Sequence, residues 1–581
     1  MNPEFPAGKP AASLSLLFAI LLVAFLLRLF WIVRYTVVIE NEGAEYARIA
    51  ENLLNGNGYV GTMENPQLMY GPLYPILIAV VSLVSTNSET AGRIVSLVFG
   101  TSLVLTMFLI ARHIYGQRTA FIAAGLVALH PLFVGFSASA YNETIYLAVM
   151  MVGVYWALRS LELEDFRHCL LAGILFGFAY LSRVEAIVYP FLTVSVFVAV
   201  AFFKKKELKR MILASLVLVA AFVALASPYI AFISLHTGGI RWEGKSRMNY
   251  TIGRRMSLGM NSNQAQYGIE ENLAEVGPML NPNRFASYSP YPASPKDLLH
   301  YFLEAARRNR VDLAQQVLSS FSFGSPLLLG LTLIGLVRTA WDRQRLIYEG
   351  FLLLLVLFIL LLLLSAHYIQ FRYTLSFLPF LVLWAAKGIE ELSDWAMTSL
   401  ANMGLSLSSV VARARIVFQC GVAALLLGMA AVGVFHFTVA DFESSKSEVF
   451  PLKEAGLWLR KYKAGPKRIM DVGAVVPYYA EGFYVPLPDA CSSRALQYIE
   501  RKAPDFIVIT DFSYHARPYL EEWFNKGIPD SRAQLIYDSG SSGVNQRIEI
   551  YRWLGAENAT DGSRVVKNKY ELASFFPMEK L

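Results

Sequence analysis

Long apolar stretches recur along this chain, and they constrain its fold more than any other feature. A membrane-spanning helix needs about 20 mostly apolar residues, and eleven segments of the 581-residue sequence approach that requirement. The charged content is only 16%, against about 25% in an average soluble protein. The sequence therefore predicts a mainly α, polytopic membrane protein. The predicted spans are residues 14–34, 92–114, 118–137, 144–160, 168–183, 186–203, 211–234, 323–341, 349–366, 372–389 and 413–437.

Basic residues between these segments set the predicted orientation. With the amino terminus inside, every inner turn carries Lys or Arg, most densely in residues 204–210, as the positive-inside rule requires. The odd number of spans then places the carboxyl terminus outside, together with residues 35–91 and 235–322. We therefore predict a multi-pass protein of the cell inner (plasma) membrane, whose outer segments face the periplasm or the exterior.

The chain divides into a predicted membrane domain, residues 1–438, and a predicted extracytoplasmic domain, residues 439–581. After about residue 446 the composition becomes that of a soluble domain in which helices and strands alternate, which indicates a small α/β domain. Its predicted helices are 452–462, 494–501 and 518–524, and its predicted strands are 468–472, 506–510, 534–537 and 548–553. In the outer segments, residues 40–56 and 296–318 have the apolar spacing of amphipathic helices that lie along a membrane surface.

Charge and motif content exclude several classes of function. Lys and Arg (51) exceed Asp and Glu (44) by only 7, too small an excess for this length to indicate nucleic acid as a partner. Cys169, Cys420 and Cys491 are far apart, which argues against a disulfide framework or a Cys-ligated zinc site. The sequence has no phosphate loop, dinucleotide fingerprint, HExxH or GxSxG motif. No nucleotide site is therefore evident, and the outer side of a membrane normally lacks nucleotide sugars. An activated sugar donor would have to be carried by the membrane itself.

Polar residues at the outer ends of the predicted spans are the functional candidates, because ionisable groups at membrane depth are costly. Each also has a structural interpretation: helix capping for the glutamates, an interface ion pair for Arg183 and Glu185, snorkelling for Arg372, or simple packing for His367. Four clusters share the predicted outer face, and they comprise Glu40, Glu42 and Glu45, then Asn142 and Glu143, then Arg183 and Glu185, then His367, Gln370, Arg372 and Tyr373.

The segment from Glu42 to Tyr59, which follows the first span, resembles the first outer loop of GT-C glycosyltransferases. The similarity is to the bacterial branch of the protein O-mannosyltransferase family (family 39) and to lipid A aminoarabinose transferase-like enzymes. Further matches, in order, are Tyr70–Pro75, Leu181–Glu185 and Phe371-Arg372-Tyr373 followed by Pro379. The resemblance implies a GT-C fold in contact with membrane lipids. It also implies a polyprenyl-phosphate sugar donor and an acceptor hydroxyl on an unknown protein, lipid or glycan.

The resemblance also assigns roles to residues. In that family the acid that opens the first outer loop is the catalytic base, and matching Tyr46 places it at Glu42. Gly43 stands where relatives usually have a second acid, so Glu40 is the alternative. Residues 60–75 contain no lysine to match one that some relatives use on the donor phosphate. The expected substrate-binding residues are Glu45, Tyr46, Tyr70, Glu143, Arg183, Glu185, His367, Arg372 and Tyr373.

The family role is chemically reasonable for these residues. One carboxylate can take the acceptor proton during attack on the anomeric carbon, while Arg183 and Arg372 stabilise the leaving phosphate. A single displacement inverts the anomeric centre. A retaining mechanism would need a second carboxylate about 5–5.5 Å away, for which Glu143 is available. We expect Arg372 to have a charged partner only when donor is bound, and the alternative phosphate ligands are Arg247, Arg254 and Arg255.

Two other functions are compatible with a polytopic chain. A secondary transporter or lipid-linked sugar flippase would more often show two similar halves and helices broken at mid-membrane. A structural membrane subunit would not need acids and arginines at the helix ends. The sequence establishes no cofactor, and it leaves open whether a divalent metal ion takes part.

Overall fold

The computed structural model forms two compact units. Its described residues are 10–35, 38–161, 165–203, 208–269, 277–280, 294–319, 325–403, 408–434, 440–511, 513–540 and 547–556. The membrane unit comprises Met1–Ala265 and Asn281–Lys446, and the carboxyl-terminal unit comprises Gln266–Leu280 and Ser447–Leu581. Residues 266–280 were assigned to the second outer segment from sequence. The structure groups them with the carboxyl-terminal unit, because Ile269 and Leu280 are buried in its apolar core.

Helices make up the membrane unit. In chain order they are α1 (Pro10–Tyr35), α2 (Asn41–Leu54), α3 (Leu73–Ser82), α4 (Ser88–Tyr115), α5 (Gln117–Leu129), α6 (Pro131–Ala138), α7 (Glu143–Ser160), α8 (Phe166–Ser182), α9 (Val188–Phe203), α10 (Leu208–Thr237), α11 (Ser246–Ser257), α12 (Ser262–Tyr267), α13 (Pro295–Ala314), α14 (Ser325–Val337), α15 (Arg343–Ser365), α16 (Leu378–Asn402) and α17 (Ser408–Val434). The predicted mainly α membrane fold is confirmed, and each predicted span overlaps one of these helices. Among the described residues, six helices are long and apolar enough to cross a membrane, and a bent pair can provide a seventh.

The predicted single span over residues 118–137 is that bent pair. Helices α5 and α6 meet at an angle of 53°, because Pro131 lacks an N–H and cannot continue the first helix. The fully buried Arg28 of α1 donates to the carbonyls of Val127 and Ala128, at 3.1 and 3.0 Å. A charged side chain inside the bundle thus satisfies backbone groups at the break.

The carboxyl-terminal unit is an α/β domain, as predicted. Its five-stranded sheet has the order β2-β1-β3-β5-β4, parallel from β2 through β1 to β3 and antiparallel beyond. The sequence analysis missed β2, a four-residue strand that ends in a proline, which is disfavoured within sheets. The elements are α18 (Ala440–Tyr462), β1 (Arg468–Asp471), α19 (Val475–Tyr479), β2 (Phe483–Pro486), α20 (Ser492–Lys502), β3 (Phe506–Thr510), α21 (Ser513–Ala516), α22 (Tyr519–Lys526), β4 (Ala533–Asp538) and β5 (Ile548–Trp553).

Candidate active site

A cavity of about 790 Å³ lies within the membrane unit. The starts of α2, α7 and α11, the turn between α8 and α9, and the turn between α15 and α16 supply its polar lining. Helices α13 and α15 contribute an apolar lining of Leu298, Leu299, Phe302, Phe358, Ile359 and Leu362. Charged and apolar surfaces thus meet in one cavity. Its charged residues are Glu42, Glu143, Arg183, Glu185, Glu243, Lys245 and Arg372.

A bidentate ion pair joins Glu42 and Arg372 in this cavity. The Arg372 Nη1 and Nη2 atoms donate to the two Glu42 carboxylate oxygens at 2.6 and 2.5 Å. The Arg372 Nε donates to Gln370 Oε1 at 2.7 Å. The expectation that Arg372 has a charged partner only with donor bound is therefore wrong, because a carboxylate of the chain itself fills that role. Removing Arg372 would leave Glu42 without its main partner.

Glu143 extends this pair into a chain of alternating charges. Its Oε1 lies 3.6 Å from Arg372 Nη1 and 3.8 Å from Arg183 Nη1. Arg183 Nε in turn donates to Glu185 Oε1 at 2.6 Å. Glu143 is only 2% exposed, and no described residue hydrogen-bonds to its Oε2. The cavity thus contains a buried carboxylate with one oxygen still able to accept a hydrogen bond.

The sequence motifs around these residues serve close packing of the chain. A Cβ atom on Gly71 would collide with the Leu181 carbonyl oxygen, so only glycine lets the segment between α2 and α3 pass against the end of α8. Asn142 Nδ2 donates to the Ser182 carbonyl at 3.2 Å, which ties the start of α7 to the same place. These contacts bring Glu143 and Arg183 together.

Tyrosine rings hold the two arginines from the sides. The Arg183 guanidinium carbon lies 5.2 Å from the Tyr146 ring centroid and 5.7 Å from that of Tyr373. The Arg372 guanidinium carbon lies 5.5 Å from the Tyr141 centroid and 5.3 Å from that of Tyr373. Cation–π contacts of this length stabilise a guanidinium without neutralising it. The rings therefore add to the carboxylates that already face both guanidinium groups.

Two further predicted residues, Tyr46 and Tyr70, line the cavity on the side of α2. Their rings meet edge to face with centroids 5.1 Å apart. The Tyr70 backbone carbonyl accepts hydrogen bonds from Tyr59 and Tyr229, at 2.8 and 3.0 Å. Tyr46 and Tyr70 thus form one aromatic side of the cavity next to Glu42.

The structure separates Glu42 from Glu40, the alternative base. Glu40 does not line the cavity; its Oε2 accepts from the Ala140 backbone N–H at 3.3 Å. Burial raises the pKa of Glu40, although the Arg93 charge acts against that increase. Burial also acts to raise the pKa of Glu42, but the hydrogen bonds and charge of Arg372 bring it below the ordinary value. Of these two acids, only Glu42 faces both the cavity and an arginine.

Glu45, predicted to bind substrate, lies outside the cavity lining. One carboxylate oxygen accepts from the backbone and hydroxyl of Thr62, and the other accepts from the Gln67 side chain. Gln67 then accepts from the backbone N–H of Met69 at 2.9 Å. A Cβ atom on Gly61 would overlap the Glu45 carboxylate. Glu45 therefore fixes the loop that leads to the cavity-lining Met69.

Lys245 is a cavity residue that the sequence analysis missed. It precedes α11, and its Nζ lies 5.8 Å from the Tyr70 ring centroid. Gly244 next to it passes so close to the Leu68 carbonyl that a Cβ atom would not fit. The alternative phosphate ligands from sequence, Arg247, Arg254 and Arg255, do not line the cavity. The available signal in the sequence was the Gly244-Lys245 pair directly before α11.

His367 also lines the cavity, in a position that favours its neutral form. It is 7% exposed, and burial, together with the Lys245 and Arg308 charges, lowers its pKa to about 3. Among the described residues, no group of three or more His, Cys, Asp or Glu side chains is arranged to hold a metal ion. The cavity's charged chemistry is therefore that of carboxylates facing basic side chains.

Comparison with known proteins agrees with this architecture. Residues 69–232, which include α3 to α9, match the family model for dolichyl-phosphate-mannose-protein mannosyltransferase. No curated protein sequence matches the chain.

Two groups of solved structures are similar. The archaeal oligosaccharyltransferase AglB from Archaeoglobus fulgidus, in complex with an inhibitory peptide and a dolichol-phosphate, has a TM-score of 0.56 at 14% identity, over 91% of this chain and 73% of that one. ArnT from Cupriavidus metallidurans in the apo state has a TM-score of 0.54 at 13% identity, over 93% and 98%. ArnT bound to undecaprenyl phosphate scores 0.51 at 13% identity, over 93% and 98%. The chain therefore shares the GT-C fold of these solved membrane proteins.

Proposed function

We propose that this protein is a glycosyltransferase that moves a sugar from a polyprenyl-phosphate donor to an acceptor hydroxyl on the outer face of the membrane. The observation that carries the proposal is the pairing of Glu42 with Arg372 in a cavity that also has an apolar wall. A base, a phosphate ligand and a surface for a lipid chain thus come together. The polyprenyl phosphates bound in the AglB and ArnT structures support the same donor class here.

The donor phosphate is assigned to the three basic residues of the cavity. Arg372 and Arg183 present planar guanidinium groups, which bind phosphate in a bidentate manner. Lys245, directly before α11, adds a third positive charge to the cavity. The prenyl chain then lies along the apolar residues of α13 and α15, of which Leu298 and Leu299 are each 56% exposed.

Glu42 is assigned as the general base. Its carboxylate takes the proton of the acceptor hydroxyl while the hydroxyl oxygen attacks the anomeric carbon. The bond between that carbon and the phosphate oxygen breaks, and the prenyl phosphate leaves with the electron pair. Arg183 and Arg372 stabilise the charge that develops on the phosphate. Glu143 lies between these two arginines and serves as their counter-ion, which favours a single, inverting displacement.

The transporter alternative has one feature in its favour, the break between α5 and α6. Broken helices of transporters expose backbone groups to a substrate or ion. Here the carbonyls at the break accept hydrogen bonds from the buried Arg28, and neither His130 nor Pro131 lines the cavity. The break therefore supports a role in bundle packing.

Purified protein in lipid nanodiscs provides the test. It is incubated with a panel of polyprenyl-phosphate sugars and candidate acceptors, and prenyl phosphate release is measured with the anomeric configuration of the product. We expect release with one donor, inversion of configuration, and loss of both in Glu42→Gln. In a parallel assay in sealed proteoliposomes, passage of lipid-linked sugar across the bilayer without release would instead identify a flippase.

A further inference from the structure

The guanidinium of Arg372 already has hydrogen-bond partners within the protein. Its Nη1 and Nη2 atoms both donate to Glu42, at 2.6 and 2.5 Å, while its Nε donates to Gln370. The side chain is 16% exposed and lines the cavity assigned to the donor. A phosphate that binds this guanidinium through its fork must therefore compete with the Glu42 carboxylate.

We propose that Arg372 holds the base Glu42 in an inactive ion pair and that the donor phosphate breaks this pair. We call this arrangement the latch. The inference rests on the proposed function. The phosphate takes over the fork of Arg372, and Glu42 is released to accept a proton from the acceptor hydroxyl. The enzyme then binds donor before it can activate acceptor.

The exchange is favoured by the chemistry of the two anions. Arg–carboxylate and Arg–phosphate pairs are both charge-assisted and frequently bidentate, so one can replace the other without loss of hydrogen bonds. Arg183 and Lys245 line the same cavity as Arg372, and their positive charges also attract the phosphate. Glu143 lies 3.6 Å from Arg372 Nη1, so it keeps a carboxylate beside the guanidinium after Glu42 has left.

Release changes what Glu42 can do. A carboxylate held by a guanidinium is a weak base, because its charge is already stabilised. Once the arginine is shared with a phosphate, burial is the dominant influence on Glu42, and burial favours the protonated form. The other titratable groups that face Glu42 are Arg183, Lys245, Glu143, Tyr46, Tyr141 and Tyr368.

The latch can be tested without turnover. Carbodiimides react with protonated carboxyl groups, so labelling of Glu42 by a water-soluble carbodiimide, measured by peptide mass spectrometry, reports its release. The full chain in nanodiscs is labelled at one pH with undecaprenyl phosphate, with undecaprenol, or with neither. A change of one pKa unit alters the protonated fraction by up to tenfold.

We expect undecaprenyl phosphate to increase Glu42 labelling about tenfold and undecaprenol to leave it unchanged. Arg372→Lys, which keeps the charge but not the fork, should show high labelling without lipid and no further increase. If undecaprenyl phosphate binds, as measured by native mass spectrometry, and labelling stays the same, the latch is wrong while the proposed function stands. If undecaprenyl phosphate does not bind, the donor site and therefore both proposals are wrong.

Discussion

Two clusters of glutamate and arginine occupy opposite ends of α15, and they differ in how completely their hydrogen bonds are satisfied. At the start of the helix, the fully buried Glu349 accepts from Tyr115, Trp384 and Arg345 at 2.6, 2.6 and 3.2 Å. At its other end, beside the cavity, Glu143 has an oxygen that no described residue hydrogen-bonds. Buried charges with a full set of partners stabilise structure, whereas incompletely paired charges facing a cavity are available to a ligand.

Arg345 shows the same contrast with Arg372. Besides its bond to Glu349, Arg345 donates to the backbone carbonyls of Thr339 and Gly335, both at 2.7 Å. Arg372 pairs with two cavity carboxylates and one amide. Ionisable residues at membrane depth are functional candidates by default. The partners of such residues, and not their depth alone, therefore separate structural residues from functional ones.

The comparison predicts its largest effect at Glu42. Glu42→Gln keeps the size of the side chain and one acceptor oxygen for Arg372, so donor binding should survive. Transfer should fall by about 10²–10⁴-fold, the usual contribution of a general base. The measurement is the initial rate of prenyl phosphate release at saturating donor.

Glu40→Gln is the matched control, because Glu40 lies two residues earlier and outside the cavity lining. Transfer should be close to normal in this variant. Loss of transfer in Glu40→Gln, combined with activity in Glu42→Gln, would move the base to Glu40.

Glu349→Ala should show the opposite behaviour to Glu42→Gln. The substitution leaves the buried donors of Tyr115, Trp384 and Arg345 without their carboxylate, and breaking a buried pair in this way costs about 3–5 kcal/mol. Thermal unfolding in detergent should occur at a much lower temperature, while transfer per folded molecule is retained. If Glu349→Ala lost transfer at an unchanged unfolding temperature, the Glu349 cluster would be functional and not structural.

Lys245→Ala should weaken donor binding by an intermediate amount. A hydrogen bond to a charged group is worth about 1.5–3 kcal/mol, so KM for the donor should rise by roughly 10–150-fold with little change in kcat. Arg254→Ala is the control, because Arg254 is exposed on α11 and does not line the cavity. Equal effects of the two substitutions would indicate a general electrostatic attraction and not a specific site.

The smallest effect concerns His367 and pH. Because burial lowers its pKa in the folded protein to about 3 from 6.5, the unfolded chain binds a proton first as the pH falls. His367 therefore contributes stability that is present above pH 6.5 and is lost between about 6.5 and 3, by at most about 1.4 kcal/mol per pH unit. Unfolding at pH 7 and pH 5.5 measures it, and His367→Asn should reduce the difference. A difference that is the same in His367→Asn would assign the acid sensitivity to other groups.

Hydropathy and periodicity are local properties of the chain, so the sequence predicted both the helical membrane unit and the α/β domain. It also placed the charged clusters of Glu42, Glu143, Arg183 and Arg372 at helix ends, since a helix end follows from the length of the apolar run. The same local reasoning failed at Pro131, where a span of adequate length is broken in two. It failed again at β2, a four-residue strand that ends in Pro486, because proline is disfavoured within sheets.

Which of these residues come into contact depends on how distant segments pack. Glu42 and Arg372 are 330 positions apart, so no spacing rule could pair them. Glu40, Glu42 and Glu45 lie within six positions, yet only Glu42 lines the cavity, because each side chain at the start of α2 points to a different neighbour. Lys245 reaches the cavity through the close approach of Gly244 to Leu68, in the segment between α2 and α3. A sequence specifies which groups are present, but the packing of distant segments determines their partners, and for a charged group the partner decides its chemistry.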